Sequence, residues 1–257
     1  MSAPQDLTRD LTEDAVLGGR LRLRQPRRGH RVGHDAILLA AATAAQPGEH
    51  AVELGAGVGA ASLALARRVP GLRVTLAEIN PALVALANDN AARNELADRV
   101  TAVVVDATAP ARTLSAAGLP PGCARHVLMN PPFNDPGASQ TSPDPVRARA
   151  HAATAGTLVA WLATAARLLG DRGTVTLIWR ADGLTDVLQA LAGFGGIAVL
   201  PVHPRADAPA VRILVRATKG RRAPLRLLPG LVLNDVQGRP TAAAETILRD
   251  AAPLPLA

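Results

Sequence analysis

The sequence holds little of what several classes of protein depend on. Its 257 residues include 1 Cys, so no internal disulfide can form, and no run of about 20 apolar residues exists that could span a bilayer. The first ten residues are polar and lack the apolar core of a signal peptide. We therefore expect a cytoplasmic protein without a membrane span. With Phe 2, Trp 2 and Tyr 0, the side chains able to stack on a nucleic-acid base are few.

Positive charge exceeds negative charge and is concentrated in two segments. Lys+Arg 28 against Asp+Glu 21 gives a formal net charge of +7. Residues 20–31 hold six Arg and no acid, and residues 200–226 hold seven basic residues against Asp207, so each segment contributes +6. Such segments indicate a polyanionic partner such as nucleic acid, with a merely solvated surface as the alternative. The expected phosphate contacts are Arg22, Arg24, Lys219, Arg221 and Arg222.

The first 48 residues predict a hairpin followed by a helix. Leu and Arg alternate from Leu17 to Arg24, the pattern of a strand with one basic, solvated face. Asp35 precedes an apolar, Ala-rich run, which predicts an N-cap and a buried helix that ends at Gln46-Pro47-Gly48. We expect residues 1–48 to be appended to one larger domain.

Beyond residue 48 the chain alternates short apolar strands with helical segments. The predicted strands are 50–54, 72–78, 99–106, 125–130 and 173–179. This alternation predicts an α/β fold with a mostly parallel sheet covered on both faces. Residues 196–203 and 210–220 predict an antiparallel strand pair at the sheet edge. Together these elements predict one domain over 49–257 with a mixed sheet of about seven strands.

The ends of the first three of these strands carry the residues of a nucleoside site. The first strand ends in Glu53 and a glycine turn whose spacing, GxGxG, is not the dinucleotide GxGxxG. Glu78 closes the second strand, where an acid can accept both hydrogens of a ribose diol, and Asp106 closes the third, facing the edge of an adenine. The glycines that let a ligand approach the backbone are Gly55, Gly57 and Gly59.

The fourth strand ends in Asn130-Pro131-Pro132-Phe133. With the preceding motifs, this turn resembles the amino-methylating branch of class I S-adenosylmethionine-dependent methyltransferases, whose motif is Asn/Asp/Ser-Pro-Pro-Tyr/Phe. The resemblance implies a Rossmann-like class I methyltransferase fold and S-adenosylmethionine as cofactor, held by the strand-end residues and by Asn130. The Asn130 side-chain oxygen and the Pro131 carbonyl can accept the two hydrogens of an amine, while Phe133 stacks the target base.

A narrower resemblance covers most of the chain. Residues 31–39 look like the opening segment of the bacterial tRNA1(Val) adenine-N6 methyltransferase family, which packs beside the methionine end of the cofactor. That implies cofactor contacts from Gly33 and Asp35. Residues 212–216 and 219–220, and the basic Arg147 and Arg149, are also similar to that family, which implies that Arg147 and Arg149 contact RNA. The resemblance thus implies methyl transfer to an exocyclic base amine in RNA, most specifically adenine N6 in a tRNA.

Other functions stay open at this point. Many family members carry Tyr where this chain has Phe133, and the same four-residue turn occurs in enzymes that methylate guanine N2 in ribosomal RNA. A protein glutamine N5-methyltransferase uses the same turn but usually has a separate N-terminal helical domain. A nicotinamide oxidoreductase would need GxGxxG, and a non-catalytic RNA-binding module would leave Asn130 without a role. The 6 His and 1 Cys show no metal-ligand spacing, so no metal is expected. The sequence leaves the oligomeric state unknown.

Overall fold

The computed structural model describes residues 10–27, 31–132, 144–254 and 256, and over residues 144–155 it describes the backbone alone. The helices are α1 His34–Ala42, α2 Ala60–Arg68, α3 Pro81–Arg93, α4 Ala111–Ala116, α5 Asp144–Leu168, α6 Leu184–Ala190 and α7 Ala242–Asp250. The strands are β1 Leu11–Val16, β2 Leu21–Pro26, β3 His50–Leu54, β4 Arg73–Glu78, β5 Val100–Val104, β6 Ala124–Met129, β7 Leu169–Arg180, β8 Phe194–Arg205, β9 Arg212–Lys219, β10 Arg226–Leu227 and β11 Leu231–Asn234.

The main sheet has nine strands in the order β10-β8-β9-β7-β6-β3-β4-β5, with β11 also paired to β8. Strands β3 to β7 are mutually parallel, while β9 runs antiparallel to both β7 and β8. The predicted fold, a mixed sheet with an antiparallel C-terminal pair, is confirmed. The sheet has two strands more than expected, because the extended segment after residue 224 is broken by Pro229-Gly230 into β10 and β11, which both pair in parallel with β8.

Several details of the sequence prediction were wrong. Helix α1 ends at Ala42, before the predicted end at Gln46-Pro47-Gly48. Strand β5 ends at Val104, so Asp106 lies two residues beyond the strand rather than at its end. Helix α1 begins after Gly33, which has extended backbone and is the N-cap, so Asp35 lies inside the first helical turn. The cap expected at Asn80 is present, since its side chain accepts a hydrogen bond from the Ala82 N–H at 2.9 Å.

Two apolar layers cover the two faces of the sheet. Helices α1, α2, α3 and α7 pack on one face, and α4, α5 and α6 pack on the other. The first layer also contains Leu21 and Leu23 of β2, both fully buried, whereas the alternating Arg22 is exposed as predicted. The hairpin and α1 therefore share a core with the sheet, and a domain boundary at residue 48 stays a prediction.

Two asparagines attach the hairpin β1–β2 to α3. Asn94 and Asn90 lie four residues apart on the helix and are both buried. Asn94 accepts from the Arg22 N–H (3.0 Å) and donates to the Arg22 carbonyl (2.8 Å), and Asn90 does the same with Arg24 (2.8 and 2.9 Å). The two side-chain amides thus replace the strand that would otherwise pair with the edge of β2. Asn90 also donates to the Val58 carbonyl at 3.1 Å, which links the hairpin to the glycine turn.

Candidate functional site

The sheet brings the predicted site residues to one edge. Strands β6, β3, β4 and β5 are adjacent and parallel, so the residues after their carboxyl ends lie side by side, where open α/β sheets bind ligands. Met129 of β6 pairs with Leu54 of β3, so Asn130 stands beside Gly55. The fourth-strand turn and the glycine turn are therefore neighbours.

The three glycines of the turn serve different purposes. Gly55, Gly57 and Gly59 all have positive φ angles, 67°, 56° and 86°. A Cβ at Gly55 would overlap the Trp161 ring of α5, and one at Gly59 would meet Leu76 Cδ2 at 2.9 Å. A Cβ at Gly57 would meet nothing within 4 Å. Only Gly57 therefore presents bare backbone to open space, while Gly55 makes room for the indole of Trp161, a contact that sequence analysis missed.

Glu78 is fixed at the mouth of this turn. Its Oε2 accepts a hydrogen bond from the Gly57 N–H and its Oε1 accepts one from the Asn80 N–H, both at 2.9 Å. Two apolar side chains beside it are exposed, Ile79 at 63% and Val104 at 52%, and Val104 is the register partner of Glu78. Exposed apolar groups next to a held carboxylate suit the face of a purine and its ribose. The sequence signal for them was weak, since each is one apolar residue at a strand end.

Glu53 points into the protein. It is 4% exposed, and its Oε2 accepts hydrogen bonds from both the N–H (2.9 Å) and the hydroxyl of Ser62 in α2. Burial raises the pKa of Glu53 to about 7 against the opposing effect of the Ser62 hydrogen bonds, and the charge of Glu78 raises it further. Glu53 thus joins β3 to the start of α2, and its predicted contact with the cofactor stays a prediction.

Asp106 and the N-terminal residues lie around this edge with other partners. Asp106 is exposed, and its Oδ1 accepts from the N–H (2.7 Å) and hydroxyl (2.8 Å) of Thr108, which closes the turn after β5. Asp35 forms an ion pair with Arg212 at 3.0 Å, tying the first turn of α1, behind Gly33, to the start of β9. The cofactor contacts expected of these residues remain predictions.

Asn130 has the most informative environment. Its Oδ1 atom is buried and has no hydrogen-bond partner among the described residues. A buried acceptor without a partner costs about 1–3 kcal/mol, so this acceptor is left for a donor that the described residues do not supply. Pro131, which is buried and has no N–H, follows directly. Phe133 lies outside the described residues, as do the side chains of Arg147 and Arg149.

The basic residues predicted to contact RNA differ in their surroundings. Arg22 pairs with Glu13 at 3.4 Å, and Arg24 pairs with Asp89 at 3.6 Å. Lys219 donates to the Leu169 carbonyl at 2.6 Å. Arg221 and Arg222 are exposed, and neither has a carboxylate within 4.0 Å in the described part of the chain.

Comparison with known proteins identifies the family of this chain. The family model described as the methyltransferase small domain matches residues 31–193. The chain belongs to this family. The small-domain family uses S-adenosylmethionine as its methyl donor, and this chain is a methyltransferase.

Relatives of this chain include methyltransferases that are named for RNA and for protein substrates. A tRNA1(Val) (adenine(37)-N6)-methyltransferase of Porphyromonas gingivalis is 32% identical over 166 residues, 61% of each protein. The enzyme of the same name from Shewanella amazonensis is 27% identical over 228 residues, 86% of this chain and 91% of that protein. A release factor glutamine methyltransferase of Moorella thermoacetica is 32% identical over 164 residues, 60% of this chain and 55% of that protein.

Among solved structures, a predicted O-methyltransferase from Agrobacterium tumefaciens superposes with a TM-score of 0.74. It is 28% identical and the alignment covers 86% of this chain and 98% of that one. The chain matches 61% of the length of the Porphyromonas enzyme, so similarity to that relative leaves more than a third of it unmatched.

Residues of this chain at that edge of the sheet could hold S-adenosylmethionine. The open backbone at Gly57, the fixed carboxylate of Glu78 and the exposed Ile79 and Val104 form a cradle that side chains do not fill. Among the described residues no group of three or more His, Cys, Asp or Glu could hold a metal ion. Over the same residues, no helix is long and apolar enough to cross a membrane.

Proposed function

We propose that this methyltransferase acts on the exocyclic amine of a base in RNA, with adenine N6 in a tRNA as its target. The observation that carries the proposal is the buried Oδ1 of Asn130, which lies beside the glycine turn and has no hydrogen-bond partner within the described ranges of the chain. An acceptor in that position is suited to an N–H donor of the substrate.

The chemistry requires an oriented amine. The nitrogen lone pair of an exocyclic amine is delocalised into the ring, so the amine is a poor nucleophile. If Asn130 Oδ1 and the Pro131 carbonyl accept its two hydrogens, the nitrogen becomes pyramidal and its lone pair is directed out of the ring plane. S-adenosylmethionine, when bound, supplies the electrophilic methyl group. Phe133, directly after the prolines, stacks the target base in this proposal.

Two observations favour RNA as the carrier of the amine. The Shewanella relative, which matches along 86% of this chain, bears the name of a tRNA adenine-N6 methyltransferase. The formal net charge of +7 suits a polyanion. A glutamine side-chain amide could occupy the same place beside Asn130, and the Moorella relative makes it the competing substrate. Guanine N2 in ribosomal RNA is the competing base.

The proposal is tested by offering the enzyme both classes of substrate. Purified protein and radiolabelled S-adenosylmethionine are incubated with total RNA and, separately, total protein from cells that lack the gene. We expect label in the tRNA fraction, in N6-methyladenosine by mass spectrometry. RNA from cells that carry the gene is the matched control and should accept little label. Label confined to protein, or found as N2-methylguanosine in ribosomal RNA, would replace the proposal with the corresponding alternative.

A further inference from the structure

Two arginines lie in one row across the sheet, on either side of an alanine. Ala198 of β8 pairs with Arg216 of β9 on one side and with Arg226 of β10 on the other. Residues in one cross-strand row share a face of the sheet, and neighbouring strands lie about 4.8 Å apart, so the two arginine Cα atoms are about 10 Å apart. Ala198 has only a methyl group, so β8 itself places no larger side chain between the two arginines in this row.

A third arginine reaches the same place from the chain that follows β9. This chain crosses close to β8 because residues 195 and 196 are glycines, and the Gly196 N–H donates to the Ala223 carbonyl at 3.2 Å. The Arg221 side chain passes over Gly196, where a Cβ would meet Arg221 Cδ at 3.0 Å. Burial, and then the nearby charges of Arg226 and Arg221, lower the pKa of Arg216. Arg216 is therefore close enough to the other two guanidinium charges to interact with them.

In the part of the chain that the structure describes, the three charges have no carboxylate partner. In the described part of the chain no carboxylate lies within 4.0 Å of Arg216, Arg221 or Arg226. The Nε of Arg216 is buried without an acceptor, and the hydroxyl of Thr176, its register partner on β7 and fully buried, has no partner either. Arg226 donates to the Leu256 carbonyl at 3.3 Å, a neutral group. Like charges gathered without a counter-charge repel, and a phosphate group relieves that repulsion while accepting several N–H bonds.

We propose that Arg216, Arg221 and Arg226, here called the arginine triad, bind a phosphate group of the RNA substrate's backbone. This inference rests on the proposed function and adds a fixed point of contact away from the reacting base. Leu177 of β7 pairs with Met129, so Asn130 lies level with Ile178, two residues beyond Thr176. At about 3.3 Å per residue, the row of the triad lies about 7 Å from Asn130 along the strand direction, and Arg216 lies two strands away from β6. A structured RNA can span this distance and still present a loop base to Asn130, whereas a short peptide with one amide has no phosphate to offer.

The test compares the arginine triad with arginines that already have acid partners. Arg221 and Arg226 are exposed, so Arg221→Gln with Arg226→Gln should fold, whereas Arg216 is left intact because it is half-buried. The matched control is Arg239→Gln with Arg249→Gln, which removes the same charge from arginines paired with Asp235 and Glu245. Binding of an in vitro transcribed tRNA is followed by fluorescence anisotropy across a range of NaCl concentrations. Methyl transfer is measured at saturating tRNA.

We expect the triad variant to bind tRNA about 10- to 100-fold more weakly, with a salt slope shallower by about one to two, and the control to change by less than about threefold. The rate at saturating tRNA should be retained, because the triad does not touch the reacting base. Equal losses in both variants would mean that net charge alone matters, and an unchanged affinity in the triad variant would overturn the inference.

Two further measurements distinguish failure of the proposed function from failure of this inference. If the wild-type protein methylates no RNA, the proposed function fails; if it methylates tRNA while the triad variant binds as well as wild type, only this inference fails. Inorganic phosphate is added alone in a thermal unfolding assay. If it stabilises wild type and not the triad variant, and does not weaken tRNA binding, the triad is a site for a free anion and the inference is overturned.

Discussion

The two basic segments of the chain look alike in sequence and differ in the folded protein. Each contributes +6 by its own residues. In the first, all five described arginines have a carboxylate within 4.0 Å, drawn from Asp10, β1, α3 and the end of α7; these arginines are Arg20, Arg22, Arg24, Arg27 and Arg31. In the second, only Arg205 and Arg212 do, and the remaining five basic residues lack one in the described part of the chain. A count of charges in sequence therefore says little about how much charge is free to meet a partner.

The contrast has a topological cause. The hairpin β1–β2 lies on α3, so its arginines meet acids far away in sequence, such as Asp89 with Arg24. The second segment forms the strands farthest from the nucleoside site, where β8, β9 and β10 bring arginines together across a row. Contacts between distant parts of the chain thus neutralise the arginines of the hairpin, and they also gather the arginines of β9 and β10 in one place.

The largest effect should follow from detaching the hairpin at Asn90. Asn90→Ala removes partners from the Arg24 backbone and from the Val58 carbonyl in a buried setting. We expect unfolding free energy to fall by about 2–4 kcal/mol in urea titrations, with faster tryptic cleavage within the hairpin. Asn88→Ala is the matched control, because Asn88 makes the same kind of paired bonds to Ala102 of β5 and does not touch the hairpin. If both variants expose the hairpin to trypsin equally, Asn90 is not what attaches it.

A related contrast exists between a carboxylate that lies beside an arginine and one that is buried in the protein. Hydrogen bonding from Gln25, with the nearby Arg31, holds the pKa of Asp14 below its usual value, whereas burial raises that of Glu53 to about 7. The pKa of Glu53 in the folded protein exceeds its ordinary value of 4.5, so its contribution to stability is full below about pH 4.5 and is lost as pH rises towards 7. The loss amounts to about 3 kcal/mol.

Glu53→Gln cannot ionise and keeps an oxygen that can accept from the Ser62 N–H. The difference in unfolding free energy between wild type and this variant should therefore shift in the variant's favour by about 3 kcal/mol between pH 5 and pH 8. Urea unfolding at several pH values measures it, with Glu245→Gln as an exposed control. A difference that does not change with pH would show that Glu53 is ionised throughout the range.

A smaller effect should follow when an acid that neutralises the hairpin arginines is removed. Glu13 lies within 4.0 Å of three arginines, Arg22, Arg24 and Arg93. Glu13→Gln leaves them with fewer partners, so tRNA affinity should rise by about two- to fivefold at low salt and the gain should vanish at high salt. Glu245→Gln changes the net charge equally at another surface. The same gain in both variants would mean that the hairpin arginines have no special access to RNA.

Much of the fold follows from local pattern. Strand β3 occupies the predicted residues 50–54, and the other sheet strands lie within a few residues of their predictions, because apolar runs bounded by turn residues specify them. The pairing of β10 and β11 with β8 was not predictable, since two- and four-residue strands carry no periodicity. The same holds for Asn90 and Asn94, whose spacing fits any helix face until the hairpin lies against it.

Some features of the candidate site follow from the sequence, and others do not. The glycine turn, Glu78 and Asn130 follow from strand-end position, because carboxyl ends of parallel strands meet at one edge. The inward direction of Glu53 and the filling of the space at Gly55 by Trp161 depend on helices packed from elsewhere in the chain. Position along a strand is thus readable from sequence, whereas the partner of a side chain generally is not.

Methyl transfer by Asn130→Ala, measured beside its affinity for S-adenosylmethionine, tests the central claim most directly. Removing the buried acceptor should lower transfer to tRNA by about 100-fold or more at saturating substrates, the scale of losing one oriented polar group in an active site. Cofactor affinity, measured by calorimetry, should stay within about threefold. Transfer that survives the substitution, or an equal loss of transfer and cofactor binding, would contradict the role assigned to Asn130.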